Sequence, residues 1–237
     1  MGRKSRVQNP KYKSERENKA QPIVAKTTGQ KFYLKALRSS ILVVATGSAG
    51  TGKTYVAASH ASNRLVNGEV ESIVLTRPYV AMGRSSGFFP GTVSEKLEPY
   101  LKPMLNVMKK RLGDNDYASR IRAGRIIIQP MEAIRGMSFE DCVLIIDEAQ
   151  NTTVEEMKSI VTRIGHNCQV ILCGDPAQTD IKGQNGLDFI SKTIEDYEVD
   201  EAKTVRFYPA DVVRSGITRA FVQIFDGQLK PKEKTTW

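Results

Sequence analysis

A complete G-x-x-x-x-G-K-T phosphate-binding loop occupies residues 47–54, which read Gly47-Ser48-Ala49-Gly50-Thr51-Gly52-Lys53-Thr54. The apolar run 41–45 before it predicts a buried parallel strand, and residues 55–65 after it have the small and apolar side chains of a helix that packs on a sheet. Strand, glycine loop and helix are the context that this motif requires. The stretch therefore predicts a site for the phosphates of a nucleoside triphosphate.

The chemistry of the loop gives each part of it a role. Its glycines let successive backbone N–H groups turn toward phosphate oxygens, and the N-terminus of the following helix adds partial positive charge. Lys53 is expected to bridge the β- and γ-phosphates, and the Thr54 hydroxyl is expected to bind Mg²⁺. The residues expected to bind the phosphates are Gly47, Ser48, Ala49, Gly50, Thr51, Gly52, Lys53 and Thr54.

Apolar runs and helix-compatible stretches alternate along the rest of the chain. Further strands are predicted at 72–75, 125–129, 143–147, 170–173 and 204–208. Helices are predicted at 96–112, 153–163 and 187–194, and the glycines and prolines of 82–103 predict a long loop with a short helix. This alternation predicts an α/β domain with a doubly wound, mostly parallel sheet, whose ligands bind at the carboxyl ends of the strands.

The length of 237 residues fits a single α/β domain with extensions better than two lobes. A flexible basic arm is predicted at 1–20, the folded domain at 21–228 and a tail at 229–237. The arm contains Arg3, Lys4, Arg6, Lys11, Lys13, Arg16 and Lys19 against Glu15 and Glu17. It either stays solvated or grips phosphate backbones, and the net charge of +9 favours a polyanionic partner such as nucleic acid.

Composition also indicates the cellular compartment of the protein. Cys142, Cys168 and Cys173 lie in or beside apolar runs without metal-ligand spacing, so they are expected to be core residues in a reducing compartment. His60 and His166 are expected to be surface or structural residues. The apolar runs are much shorter than the roughly 20 residues that span a bilayer, and no apolar segment follows the basic N-terminus. We therefore expect a cytoplasmic protein that does not contact a membrane.

Two adjacent carboxylates end the apolar run 142–146. Asp147 is expected to lie beside the phosphate loop and to hold Mg²⁺ through Thr54 or water. Glu148 would then face the water that attacks the γ-phosphate, an arrangement that favours hydrolysis. The less specific interpretation is that this pair only caps the next helix.

Three further polar side chains follow predicted strands. Gln178, in the stretch 170–178, can hydrogen-bond the γ-phosphate and a water. Arg77 precedes Pro78 at the same edge of the sheet and is expected to contact the nucleotide, and Arg214 is expected to stabilise charge on the transferred phosphoryl group. A structural salt bridge is the alternative for either arginine.

The sequence contains weaker signals for the part of the site that binds the nucleoside. The Gln30 amide can pair with adenine, and Phe32 or Tyr33 can stack on the base. ATP is favoured over GTP because no guanine-reading Asn-Lys-x-Asp segment follows the phosphate loop.

Seven segments in this order resemble the PhoH family of phosphate-starvation-inducible ATPases, which are related to superfamily 1 helicases. They are 28–30 (TGQ), the phosphate loop, 76–78 (TRP), 87–91 (GFFPG) with Glu95 and Lys96, 147–151 (DEAQN), 174–178 (GDPAQ) and 211–214 (DVVR). The resemblance covers residues 21–226 and implies ATP hydrolysis on a single RecA-like domain, with Gln30 near adenine. It also implies a link to RNA handling.

The combined expectation is a Mg²⁺-dependent ATPase that acts on or is stimulated by single-stranded nucleic acid. RNA is favoured over DNA, and a helicase-like activity is one form that the action on nucleic acid can take. Since superfamily 1 helicases close the site with arginines of a second lobe, a neighbouring copy is expected to do so here, in a head-to-tail homo-oligomer with a hexameric ring favoured. The alternatives are a small-molecule phosphotransferase and a non-enzymatic ATP-dependent scaffold.

Overall fold

The computed structural model describes residues 20–78, 93–214 and 216–225. Its strands are β1 (Leu42–Thr46), β2 (Ser72–Thr76), β3 (Ile126–Ile128), β4 (Cys142–Ile146), β5 (Gln169–Gly174) and β6 (Ala202–Arg206). Its helices are α1 (Thr28–Ser39), α2 (Lys53–Val66), α3 (Val93–Leu112), α4 (Asp114–Arg122), α5 (Met131–Ile134), α6 (Val154–Val161), α7 (Gly186–Tyr197) and α8 (Gly216–Phe225). The predicted arm at 1–20, except for Ala20, and the predicted tail at 229–237 lie outside the described residues.

The six strands form one sheet in the order β3-β2-β4-β5-β1-β6, and every neighbouring pair is parallel. The prediction of a doubly wound, mostly parallel sheet is therefore confirmed. β5 lies between β1 and β4, with Ile171 paired to Val43 on one side and to Ile145 on the other. This order, with one strand between the phosphate-loop strand and the strand that ends at Asp147, is the RecA-like arrangement.

Apolar side chains cover both faces of the sheet. On one face, α1, α2 and α3 pack on alternate strand residues such as Val43, Ile145 and Ile171. On the other, α5, α6 and α7 pack on the residues in between, such as Leu144 and Leu172. Because both faces are buried, the strands are continuous apolar runs, and the carboxyl edge of the sheet is left to polar loops.

The helix predicted at 96–112 is confirmed as α3, and it extends back to Val93, into the segment 82–103 that was predicted as a long loop with a short helix. Residues 79–92 lie outside the described residues, but α3 begins at Val93 and contains both Pro99 and Pro103. Each proline removes one backbone N–H donor from the helix. The buried side chains of α3, which include Leu101 and Met108, pack against α2 and compensate for that loss.

Sequence patterns missed four of the helices in the described residues, which are α1, α4, α5 and α8. α1 begins with an N-cap, where the Thr27 hydroxyl accepts a hydrogen bond from Gln30 N at 3.2 Å. α4 contains no buried residue, so it lacks the apolar periodicity that predicts a helix.

The cysteines and histidines lie where the composition predicted. Cys142, Cys168 and Cys173 are buried and free. His166 is on the surface. His60 has a structural contact, because its Nε2 lies within hydrogen-bond distance, 2.8 Å, of Gln169 Oε1. Within the described part of the chain, no helix has the length and apolar character needed to cross a membrane.

Burial of His60 makes the stability of the fold depend on pH. Burial lowers the pKa of His60 from 6.5 to about 4. Since the unfolded chain binds this proton near pH 6.5 and the folded chain does not, the free energy of unfolding should fall as pH drops through this window, by about 3 kcal/mol at most. Urea unfolding at about pH 7 and about pH 5 measures the loss for the wild type and for His60→Gln.

The His60→Gln variant should lose less stability than the wild type between the two pH values. His166→Gln is the matched control, because the His166 side chain is 86% exposed, and it should follow the wild type. Equal losses in wild type and His60→Gln would contradict the assignment.

Candidate nucleotide-binding site

A cleft of about 710 Å³ lies at the carboxyl edge of the sheet. It brings together most of the side chains that the sequence assigned to a nucleotide site. Those that line it are Gln30, Ala49, Gly50, Gly52, Lys53, Thr54, Arg77, Asp147, Glu148, Gln178 and Arg214. Gly47, Ser48 and Thr51 belong to the same loop, and Thr51 is fully buried beneath it.

The backbone of the phosphate loop depends on its glycines. Gly47, Gly50 and Gly52 have φ values of +134°, +85° and +90°, which side chains with a Cβ rarely adopt. A Cβ on Gly47 would also lie 2.4 Å from the carbonyl oxygen of Phe207. These conformations curl the loop around the N-terminus of α2, as an anion cradle requires.

Lys53 folds its side chain back into this loop. Its ammonium group donates to the carbonyl oxygens of Gly47 and, at 2.9 Å, Ser48. Burial lowers the pKa of Lys53, although the negative charges of Asp175, Asp147 and Glu148 oppose that shift. The lysine is therefore held at the centre of the loop by acceptors that phosphate oxygens can replace.

Asp147 connects the phosphate loop to β4. Its Oδ1 accepts a hydrogen bond of 2.9 Å from the Thr54 hydroxyl. Burial raises the pKa of the Asp147 carboxyl, and the Thr54 bond opposes that effect. A hydroxyl and a carboxylate at this distance are the oxygen ligands that Mg²⁺ prefers, so the donor set fits this ion.

Glu148 follows in a left-handed backbone conformation with φ +52°. Its carboxylate lies 3.8 Å from Arg77 Nη2, and both side chains reach the cleft. The Arg77 guanidinium lies over the ring of Tyr100, 5.6 Å from its centroid. Sequence reasoning did not assign Tyr100 to the site, although Tyr100 lies within the helix predicted at 96–112.

Gln178 is exposed at the end of the 3₁₀ turn Pro176–Gln178 after β5. Its Nε2 donates to Asp175 Oδ2 at 2.6 Å, and it lines the cleft. Asp175 thus orients the glutamine, a contact that sequence reasoning did not assign.

Gln30 is buried rather than free in the cleft. Its Nε2 donates to the carbonyl oxygen of Thr51 at 2.9 Å, and its Oε1 accepts from Lys26 N at 2.8 Å. The amide thus ties α1 to the phosphate loop, and its contact with adenine stays a prediction. The stacking predicted for Tyr33 and Phe32 was wrong, since Tyr33 is buried against Phe207 and Phe32 lines a separate cavity.

Arg214 lies against the phosphate loop of its own chain. A Cβ placed on Gly50 would be 3.0 Å from Arg214 Cδ, and Val213 N donates to Gly50 O at 3.0 Å. Asp211 fixes the preceding turn, because its carboxylate accepts from the backbone N–H groups of Gly29 at 2.9 Å and Tyr208 at 3.0 Å. This geometry brings Arg214 to the cleft without a second subunit.

Comparison with known proteins places this site in a family. The family model described as PhoH-like protein matches residues 22–226. The chain belongs to the PhoH-like protein family. This membership agrees with the P-loop NTPase fold described above.

Two of its curated relatives come from Escherichia coli and Bacillus subtilis. The chain is 40% identical to Protein PhoH of Escherichia coli strain K12 over 199 residues, which are 83% of this chain and 56% of that protein. It is 37% identical to the PhoH-like protein of Bacillus subtilis over 212 residues, 89% of this chain and 66% of that protein. The chain thus spans between half and two thirds of these curated relatives.

Among solved structures, the Pif1 helicase from Candida albicans is similar with a TM-score of 0.45 and 17% sequence identity. The match covers 86% of this chain and 44% of the helicase chain.

Asp211 offers a test of how the cleft is held together. Burial alone would raise its pKa, but hydrogen bonds from Tyr208 N, Gly29 N and the Thr27 side chain lower it. Replacing Asp211 by Asn leaves one acceptor oxygen for two backbone donors, so Asp211→Asn should reduce the free energy of unfolding by about 1–3 kcal/mol at neutral pH.

Because the folded-state pKa of Asp211 is lowered, its stabilising effect is present above the unfolded pKa and is lost as pH falls through the folded pKa. The stability gap between wild type and Asp211→Asn, measured by urea unfolding, should therefore narrow in acid. The exposed Asp200, changed to Asn, serves as the control. An Asp211→Asn protein as stable as this control at neutral pH would contradict the stabilising role of the Asp211 hydrogen bonds.

Proposed function

We propose that this protein binds ATP with Mg²⁺ and hydrolyses it in the cleft. The observation that carries the proposal is the 2.9 Å hydrogen bond between Thr54 and Asp147, which joins the phosphate loop to a strand-end carboxylate beside Glu148. Thr54 and Asp147 would hold the ion, and residues 47–54 would bind the phosphates. Mg²⁺, when bound, neutralises charge that develops on the phosphate oxygens.

In the proposed reaction, Glu148 orients a water molecule in line with the γ-phosphorus and accepts its proton. The water oxygen forms a bond to phosphorus while the bond from phosphorus to the β,γ-bridging oxygen breaks, which releases ADP and inorganic phosphate. Glu148 suits this role because its side chain is 35% exposed and lines the same cleft as Lys53.

The remaining polar groups would stabilise or read the γ-phosphate. Arg77 and Lys53 bring positive charge to the cleft, and Arg214 would add a third cation where negative charge increases during transfer. Gln178, whose Nε2 is held by Asp175, would contact the γ-phosphate and report whether ATP or ADP is bound. We propose that Gln30 recognises adenine from the base of the loop.

We further propose a single-stranded nucleic-acid partner, with RNA favoured over DNA and helicase-like action as one form of the activity. Lys and Arg nearly balance Asp and Glu in the described residues, whereas the first 20 residues carry much of the net charge of +9. That segment would be an arm that binds phosphate backbones. It would be followed by an ATPase domain at 21–228 and a tail at 229–237. The three buried free cysteines support a cytoplasmic location.

We propose that a second copy of the chain covers the mouth of the cleft in a homo-oligomer, for which a hexameric ring is favoured. Val24, Tyr55 and Val213 line the cleft and are 78%, 49% and 39% exposed. Exposed apolar side chains around a ligand site favour a protein neighbour, and head-to-tail contacts close into rings. Since Arg214 reaches its own loop, this proposal does not require it to act in the neighbouring site.

Glu148→Gln tests the hydrolytic role directly. The amide keeps the size of the side chain but cannot accept the proton of the water, so turnover should fall by roughly 10² to 10⁴ while ATP binding is retained. Phosphate release and binding of a fluorescent ATP analogue measure the two effects. The control is Glu132→Gln, a change outside the residues that line the cleft. Undiminished turnover in Glu148→Gln would contradict this role and favour a phosphotransferase, whereas no turnover in the wild type would favour a scaffold.

Turnover with and without single-stranded RNA or DNA tests the partner and the assembly together. Stimulation should weaken with salt, since about five phosphate contacts cost about 100-fold in affinity between about 50 mM and about 200 mM salt. Replacing Arg3, Lys4, Arg6, Lys11 and Lys13 by Gln should reduce the stimulation.

Oligomeric mass is recorded in the same samples, and a hexamer is expected where turnover is high. Turnover indifferent to both polymers would point to a protein or small-molecule partner instead. A monomer that hydrolyses ATP as fast per site as any larger species would contradict the assembly.

A further inference from the structure

Gln150 is a buried glutamine next to the candidate catalytic carboxylate. It lies in the 3₁₀ turn Ala149–Asn151 that follows β4 and is 1% exposed. Its Nε2 donates to Glu148 Oε2 at 2.6 Å and to Gln178 O at 3.4 Å. Its Oε1 accepts a hydrogen bond of 3.0 Å from Asp175 N.

These partners fix the orientation of the amide. The carboxylate of Glu148 can only accept, so it must face the NH₂ group, and the backbone N–H of Asp175 can only donate, so it must face the oxygen. Rotating the amide by 180° would break both bonds inside the protein, where unmade hydrogen bonds are costly. The Gln150 side chain is therefore held in one arrangement.

Packing reinforces this arrangement. A Cβ on Gly174, the last residue of β5, would lie 2.6 Å from Gln150 Oε1 and 2.6 Å from Leu187 Cδ2. The carbonyl oxygen of the same glycine accepts a 3.2 Å hydrogen bond from Gly47 N of the phosphate loop. A continuous line of contacts thus runs from the phosphate loop through Gly174 and Gln150 to Glu148.

Glu148 needs such a support. It has a left-handed backbone and a partly exposed side chain, and its ion pair with Arg77 is longer, at 3.8 Å. An unsupported carboxylate would sample several rotamers, and only some of them would aim it at a water beside the γ-phosphate.

We propose that Gln150 is a positioning residue for ATP hydrolysis. It fixes the Glu148 carboxylate and holds it in one position relative to the Asp175–Gln178 segment. The inference rests on the proposed ATPase function. Gln150 is not among the described residues that line the cleft, so it acts through Glu148 rather than on the substrate.

Gln150→Met tests the role, because Met has a similar length but makes none of the three hydrogen bonds. The matched control is Gln169→Met. Gln169 is also buried, at 4% exposed, and its Nε2 donates to Leu37 O at 2.8 Å and Ser40 O at 2.7 Å. Both variants lose a satisfied buried amide, but Gln169 is in the first position of β5, at the opposite edge of the sheet.

The kcat of Gln150→Met should fall on the order of 10- to 100-fold, with KM and the Kd for a fluorescent ATP analogue unchanged within about twofold. Gln169→Met should keep the wild-type kcat. Thermal unfolding of both proteins shows whether each is folded at the assay temperature. A merely structural role would lower stability in both variants without separating kcat from KM.

Gln150→Glu is a second variant that keeps the acceptor for Asp175 N but puts a carboxylate where a donor faces Glu148. Like charges at this distance repel, so its kcat should fall at least as far as that of Gln150→Met. Wild-type kcat in Gln150→Glu would overturn the positioning role.

Two failures remain distinguishable. If the wild type hydrolyses ATP and Gln150→Met matches Gln169→Met in kcat, the positioning role is overturned and the ATPase stands. If the wild type with ATP and Mg²⁺ shows no turnover, alone or with single-stranded RNA, both the proposed function and this inference are overturned.

Discussion

The hydrogen bond between Thr54 and Asp147 depends on a strand that contributes neither residue. β1 leads into the phosphate loop and β4 ends at Asp147, but β5 lies between them. Adjacent strands are about 4.8 Å apart, so the loop must cross roughly 10 Å to bring α2 over the end of β4. β5 must therefore end in something small and flat, and Gly174 meets that condition because any Cβ there would collide with Gln150 and Leu187.

Buried polar side chains hold the loops around this crossing. Gln30 bonds the phosphate loop from below, Asp211 bonds the start of α1 and the turn before Arg214, and Gln150 bonds the ends of β4 and β5. Each of them satisfies backbone groups that loops leave without partners. The base of the cleft is consequently held by hydrogen bonds, while its lining includes charged and polar side chains.

Strand-end residues were predictable from sequence, and residues placed by helices were not. Asp147, Gln178 and Arg77 follow apolar runs, and parallel pairing alone brings such positions to one edge. Phe32 and Tyr33 were misjudged because α1 was not predicted. Once that helix turns by about 100° per residue, Tyr33 points into the core and Phe32 points away from the cleft. Gln150 carried no sequence signal beyond its place in the DEAQN segment, since its partners come from β5, a separate strand.

The position of Arg214 separates two tasks that are often assigned to one partner subunit. One is to supply positive charge at the phosphate loop, and Arg214 already lies against that loop because Asp211 and the Val213–Gly50 hydrogen bond hold its segment there. The other is to exclude water from the mouth of the cleft, where Val24, Tyr55 and Val213 are exposed. Excluding water needs apolar cover rather than charge. A neighbour could therefore regulate the site by covering it, without contributing a catalytic side chain.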